Sequence, residues 1–196
     1  MANWKERAEL GDSHASIAWC NNVQGPFAGA WRTGLIYNKG PYVVHMLRMQ
    51  MGLENFKKAM KNVFQKYAYT NITTDQLKRE CELVAGYNLD FFFDQWFRGT
   101  GIPVFDYSWK SEAQSDGKHL VTVSMSQRDK ENFKQVLMPV YFYFKGQKEP
   151  VIKTRPVLKA DDVYKIKFPE KPVRVALDVD RDLLADMIPS SKDSGE

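Results

Sequence analysis

A chain of 196 residues with 43% hydrophobic and 13% aromatic content carries enough apolar material for one large or two small packed domains, which excludes a disordered segment. The net charge is +4, and the charges alternate in sign, as in Lys5-Glu6-Arg7 and Arg128-Asp129-Lys130-Glu131. That pattern reads as a solvated face, not as the basic stripe of a nucleic-acid binder. No apolar run approaches the ~20 residues of a membrane span. Residues 1–6 lack the apolar core of a signal peptide.

In chain order, Trp4 to Leu10 is compatible with one helix, and Gly25-Pro26 with Gly29 points to a loop. Trp19, Phe27 and Trp31 are expected in the core. From Gly40-Pro41 the period is helical. Proline suits a first helical turn, where its missing amide would be an orphan anyway. Val44, Leu47 and Met51 give an apolar stripe, and Gly52 is a stop. Phe56, Met60, Val63 and Tyr67 predict a second amphipathic helix. Thr73-Thr74-Asp75-Gln76 is a capping-box pattern opening a third, through Leu77, Cys81 and Val84 to Gly86. Asn88 can cap a fourth that buries Leu89, Phe92, Phe93 and Trp96 and ends at Gly99 and Gly101. Short loops between these helices imply antiparallel packing.

After Pro103 the period becomes two. Phe105, Tyr107 and Trp109 alternate, and so do Val121, Val123 and Met125. The same holds across Val140 to Phe144, across Tyr164, Ile166 and Phe168, and across Val173, Val175 and Leu177. Ser115-Asp116-Gly117, Lys145-Gly146, Asp161-Asp162 and Pro169-Glu170 read as turns between strands. The fold class is α+β in two segments: an N-terminal helical bundle segment, residues 1–102, then a C-terminal antiparallel β-sandwich of about seven strands, residues 103–188. Residues 189–196 read as a disordered tail.

The order of motifs resembles one family. Tyr37-Asn38-Lys39-Gly40 precedes an apolar helical run. It is followed by Asp90-Phe91-Phe92-Phe93-Asp94-Gln95-Trp96-Phe97, and then by Gly99-Thr100-Gly101-Ile102-Pro103. This series resembles the end of the catalytic domain of the M1 zinc aminopeptidases, the gluzincins, together with the β-sandwich that follows it. The resemblance covers roughly residues 30 to 187. It implies peptide substrates, a zinc cofactor and a catalytic role for Tyr37. In the family, that tyrosine stabilises the oxyanion of the tetrahedral intermediate, as a neutral phenol can. It also offers a second reading of Trp19, Phe27 and Trp31, as lining of the substrate cleft. The alternative for Tyr37 is a core tyrosine with a satisfied hydroxyl.

The family's zinc motif, His-Glu-x-x-His, is missing. His14, His45 and His119 stand far apart and read as structural or surface residues. Gly52-Leu53-Glu54-Asn55 is not the family's Gly-x-Met-Glu-Asn, because it follows the tyrosine instead of preceding the zinc site. Asp178, Asp180 and Asp182 lack the glycine and glutamate of a calcium loop, so a polar turn is expected there. No serine-nucleophile elbow or phosphate loop occurs. Cys20 and Cys81 are either two buried thiols or one bridge.

The expectation is therefore a fragment of an M1-like metalloaminopeptidase, with no metal site of its own and no activity alone. Its partner would be the zinc-bearing half of the same protein, and an exposed apolar surface would mark where that half docks. The alternative is a non-catalytic M1-like module that binds peptide or protein. A third possibility is an unrelated helical bundle. Localisation is left open.

Overall fold

The computed structural model describes residues 8, 11–12, 15–22, 24–25 and 28–190, the side chains of 20–22 excepted. The expected helix over Trp4–Leu10 (apart from the buried Ala8), His14, Pro26, Phe27, the Cys20 side chain and residues 191–196 lie outside this set. The chain divides into two compact units, Met1–Ile102 and Pro103–Glu196.

The first unit is helical. A 3₁₀ turn (Ile17–Asn22) precedes one long helix built of three parts: α1 (Ala28–Thr33), a π-helical segment (Gly34–Lys39) and α2 (Gly40–Met51). This corrects the expected helix start at Gly40-Pro41, since the helix is already running there. A proline inside a helix lacks a donor and crowds the carbonyl four residues back. Widening the preceding turn relieves the crowding, and the Gly40 N–H bonds the Leu35 carbonyl five residues back. Tyr42, Val43, Met46, Leu47 and Met51 are buried, while Val44 falls just outside the buried arc.

α3 (Leu53–Lys66) carries the expected half-buried face, with the small Ala59 as its fully buried point. It packs against α4 (Thr74–Ala85). α4 opens on the expected capping box. The Gln76 N–H donates to Thr73 Oγ1 at 3.2 Å, and the Thr73 N–H donates to Gln76 Oε1 at 2.8 Å. It ends at Gly86, whose φ of 78° needs a residue without a β-carbon. Asn88 Oδ1 accepts the Asp90 N–H at 2.7 Å and starts α5 (Asp90–Phe93), which runs into a second π-helical segment (Asp94–Arg98). Leu89, Phe92, Phe93 and Trp96 are buried, and so is Phe97, whose ring stacks on Phe93 at 4.6 Å.

The second unit holds two sheets. β5 (Asp161–Phe168), β2 (His119–Gln127), β1 (Val104–Ala113) and β7 (Asp186–Pro189) form one, in that order. β4 (Val151–Val157), β3 (Val136–Tyr143) and β6 (Arg174–Leu177) form the other. The expected α+β class is therefore observed. Pairing is antiparallel except between β1 and β7, which run parallel. Phe142 of β3 meets Phe168 of β5 at 4.8 Å and Tyr164 at 6.4 Å, so aromatic rings link the two sheets.

Several local expectations need correction. β3 is buried on both faces instead of alternating, and its Phe142 supplies the ring that meets the other sheet. Asp161-Asp162 is the start of β5, not a turn. Lys130 neutralises Asp161 at 2.7 Å, and Arg155 neutralises Asp162 at 2.9 Å, so both charges fit a strand. Order does not stop at residue 188. Pro189 ends β7, and the Ser190 N–H donates to the Tyr107 carbonyl at 2.8 Å.

Asp178 to Asp182 form the expected polar turn. Asp178 Oδ1 accepts the Asp182 N–H at 2.8 Å, and Asp180 accepts the Tyr141 hydroxyl at 2.9 Å. Burial, followed by the Asp180 carboxylate, raises the Tyr141 phenol well above its ordinary range. No helix among the described residues is long and apolar enough to cross a membrane.

Candidate functional site

The site is the widened turn of the long helix in the first unit. Tyr37, Asn38 and Lys39 all lie in the π-helical segment. Such widened turns are frequent at functional sites, because they break the regular ladder and re-aim side chains. Asn38 repairs part of the ladder: its side-chain amide donates to the Thr33 carbonyl at 3.3 Å.

Tyr37 and Lys39 face opposite ways. Two helical residues turn through roughly 200°, so a Tyr-x-Lys spacing puts the pair on opposite sides. Tyr37 is 68% exposed and Lys39 is 1% exposed. Tyr37 is therefore not part of the core of this unit. Ile36 and Val44, 43% and 37% exposed, flank Tyr37 on the outward side of the same helix. His45, one helical stretch on, holds Nδ1 3.1 Å from Arg48 Nη2 and is structural in its geometry.

Lys39 makes two contacts on the inward side. Its ammonium pairs with the Asp12 carboxylate, itself buried, and donates to the Gly99 carbonyl at 3.0 Å. The second Asp12 oxygen accepts the Gly101 N–H. Asp12 and Lys39 therefore join the widened turn to the Gly99–Gly101 bend that follows the aromatic run. Gly11 fits close against the same helix. A β-carbon on it would stand 2.8 Å from both the Trp31 carbonyl oxygen and the Leu35 amide nitrogen.

Asp12 is the residue that sequence reasoning missed. It lies 27 positions before Lys39, and no local pattern announces such a pairing. The one available signal was a lysine inside an otherwise apolar helical motif, which must find a partner if it is buried. Of the three aromatics expected in the core, Trp31 packs beside Ala28 and Leu35. Trp19 does not: it lies in the 3₁₀ turn and is 62% exposed, whereas Ser16, just before the turn, is buried.

Elsewhere in this unit, burial, then Glu82 and Glu80, pushes the Cys81 thiol up to about 12, so it is an inert core group. Glu80 is buried yet ionised. Its carboxylate accepts from Lys66 at 2.6 Å and from the Tyr67 hydroxyl at 3.3 Å, and the Lys66 bond holds it below the usual carboxylate range.

Residues 29–96 match the peptidase family M1 domain. This segment is similar to the M1 aminopeptidases. The chain is 35% identical over 74 residues to aminopeptidase M1-C of Oryza sativa subsp. japonica, covering 38% of this chain and 8% of that protein. It is 33% identical over 72 residues to aminopeptidase N of Lactococcus lactis subsp. lactis, again 8% of that protein. The structure is similar to that of Legionella pneumophila aminopeptidase A in complex with aspartic acid. The TM-score is 0.72 at 15% identity, over 92% of this chain and 21% of that one. At that identity the likeness speaks to the fold alone. The chain thus spans a small part of the length of these aminopeptidases, and the matched segment contains the Tyr37–Gly40 motif and the aromatic run.

Proposed function

We propose that this chain is part of an M1-type zinc aminopeptidase whose full protein removes N-terminal residues from peptides. The observation that carries this reading is the Tyr37-Asn38-Lys39-Gly40 motif, inside the matched segment, with its tyrosine turned to solvent and its lysine turned inward. In this reading Tyr37 is the catalytic residue of the chain. Its hydroxyl donates to the oxyanion that develops when the scissile carbonyl is attacked. Such a donor, placed before the charge forms, is worth about 10²–10³ in turnover.

Zinc is expected of the family, and the residues at hand do not fit it. Among the described residues no group of three or more His, Cys, Asp or Glu side chains can hold a metal ion. The sequence contains no His-Glu-x-x-His. No step through zinc is therefore assigned to this chain, and on this reading it is inactive alone. The metal site and the groups that hold the peptide's amino terminus would come from a zinc-bearing half of the same protein. Ile36, Tyr37 and Val44, exposed together on one side of the helix, supply the apolar surface such a half would cover. The second unit would be the family's β-sandwich, a reading supported by the ring contacts between its two sheets.

The test is zinc content and hydrolysis of aminoacyl chromogenic amides, for this chain and for its full reading frame. The reading expects zinc and cleavage in the longer protein and neither in the chain alone. A full reading frame that is metal-free and inert would overturn it and favour a peptide-binding or protein-binding module.

A further inference from the structure

We propose that Asp12, Lys39 and the Gly99 carbonyl form a positioning lock that sets the direction of the Tyr37 phenol. The proposal rests on the reading of Tyr37 as the oxyanion donor, and it adds the residues that hold that donor in place.

Four observations carry it. First, among the described residues no hydrogen bond or ion pair holds the Tyr37 side chain, so its direction is set by the backbone that bears it. Second, that backbone is a π-helical turn. If it reverted to regular helix, the residues on one side would rotate by about 100° relative to the other, the turn per residue of an α-helix. Tyr37 would then leave the outward side. Third, Lys39 lies in the same widened turn, on the side opposite Tyr37, and is anchored at two points distant in sequence, Asp12 and Gly99. A buried ion pair tolerates little displacement, because each charge depends on the other once water is gone. Rotation of the turn would break it. Fourth, Gly11 seats the Asp12 backbone against the helix one turn earlier, with no room for a side chain. The anchor is therefore fixed at both ends.

The lock also accounts for the spacing of the motif. The tyrosine and lysine must be two apart to face opposite ways. The glycine and proline that follow help keep the turn widened: Gly40 reaches the Leu35 carbonyl, and Pro41 cannot restore the regular bond.

The experiment uses this chain with 3-fluorotyrosine incorporated at position 37. It reads the ¹⁹F resonance together with amide hydrogen exchange over residues 34–41. The variant is Lys39→Met with Asp12→Asn, which removes both charges and keeps an acceptor for the Gly101 N–H. Circular dichroism and the unfolding midpoint report whether it is folded. The lock predicts a folded protein whose 34–41 amides exchange at least tenfold faster and whose ¹⁹F line shifts or splits. If the double variant does not fold, Asp12→Asn alone carries the same test. A folded variant with unchanged exchange and an unchanged ¹⁹F line would overturn the proposal, because the pair would then be ordinary core.

In the active full reading frame the same variant is expected to lose about 10²-fold in kcat with little change in KM, as a misplaced catalytic group does. Failure of the Tyr37 reading shows separately: Tyr37→Phe would leave kcat unchanged while the exchange and ¹⁹F results stood.

Discussion

Phe142 offers a measurable test of how the two sheets of the second unit are held. Its ring is fully buried and sits 4.8 Å from Phe168 across the inter-sheet space. Truncation to alanine removes most of an aromatic side chain that buries 150–250 Å², at about 25 cal/mol per Å². That gives roughly 4 kcal/mol, within the ~3–5 kcal/mol seen for buried Phe→Ala changes. With a urea dependence of about 2 kcal/mol per molar, the unfolding midpoint of this unit should fall by about 2 M. The rings are in contact, so Phe142→Ala and Phe168→Ala should not be additive. A double-mutant cycle should show a coupling of about 0.5–1.5 kcal/mol. Additivity within about 0.3 kcal/mol would refute the packing of one sheet on the other through these rings.

Three further outcomes follow from the first unit. With its thiol pushed up to about 12, Cys81 should be alkylated at pH 8 about 10³-fold more slowly in the folded chain than in denaturant. Mass spectrometry of the Cys81 peptide reads this directly, and equal rates would contradict the burial. Glu80 is held ionised by Lys66 and so has a lowered folded pKa. Its contribution is therefore present above the unfolded carboxylate value, near about 4.3, and is lost as pH falls through the lower folded value. Urea midpoints followed below pH 5 should drop less steeply in Glu80→Gln than in the parent, and parallel curves would remove the assignment. Gly11→Ala places a methyl 2.8 Å from two backbone atoms of the long helix. Strain of that kind costs about 1–3 kcal/mol, and a variant as stable as the parent would show that the helix and Gly11 are not in this contact.

The sequence was most legible where a local pattern has one cheap solution. The Thr73–Gln76 box, the Gly86 stop and the Leu89–Trp96 apolar run are short-range, and all three occur as read. The strands of Val121 and Tyr164 were legible from alternation. β4 was not, because Lys153, Thr154 and Arg155 on this edge strand leave no apolar period. The helix start was misread for a physical reason. Pro41 signals a first turn in any local reading, and only the Gly40 to Leu35 bond reveals a widened turn that accommodates it. The site was half legible. Tyr37 and Lys39 were visible as a motif, but their opposite orientations and the Asp12 partner depend on long-range packing that no spacing encodes.

The most direct test of the account is the rate of aminoacyl-amide hydrolysis by the full reading frame with and without Tyr37→Phe, at matched zinc content. Loss of the phenol donor should lower kcat by about 10²–10³ while the metal stays bound and KM changes little. An unchanged kcat would contradict the assignment of Tyr37, and with it the central functional claim for this chain.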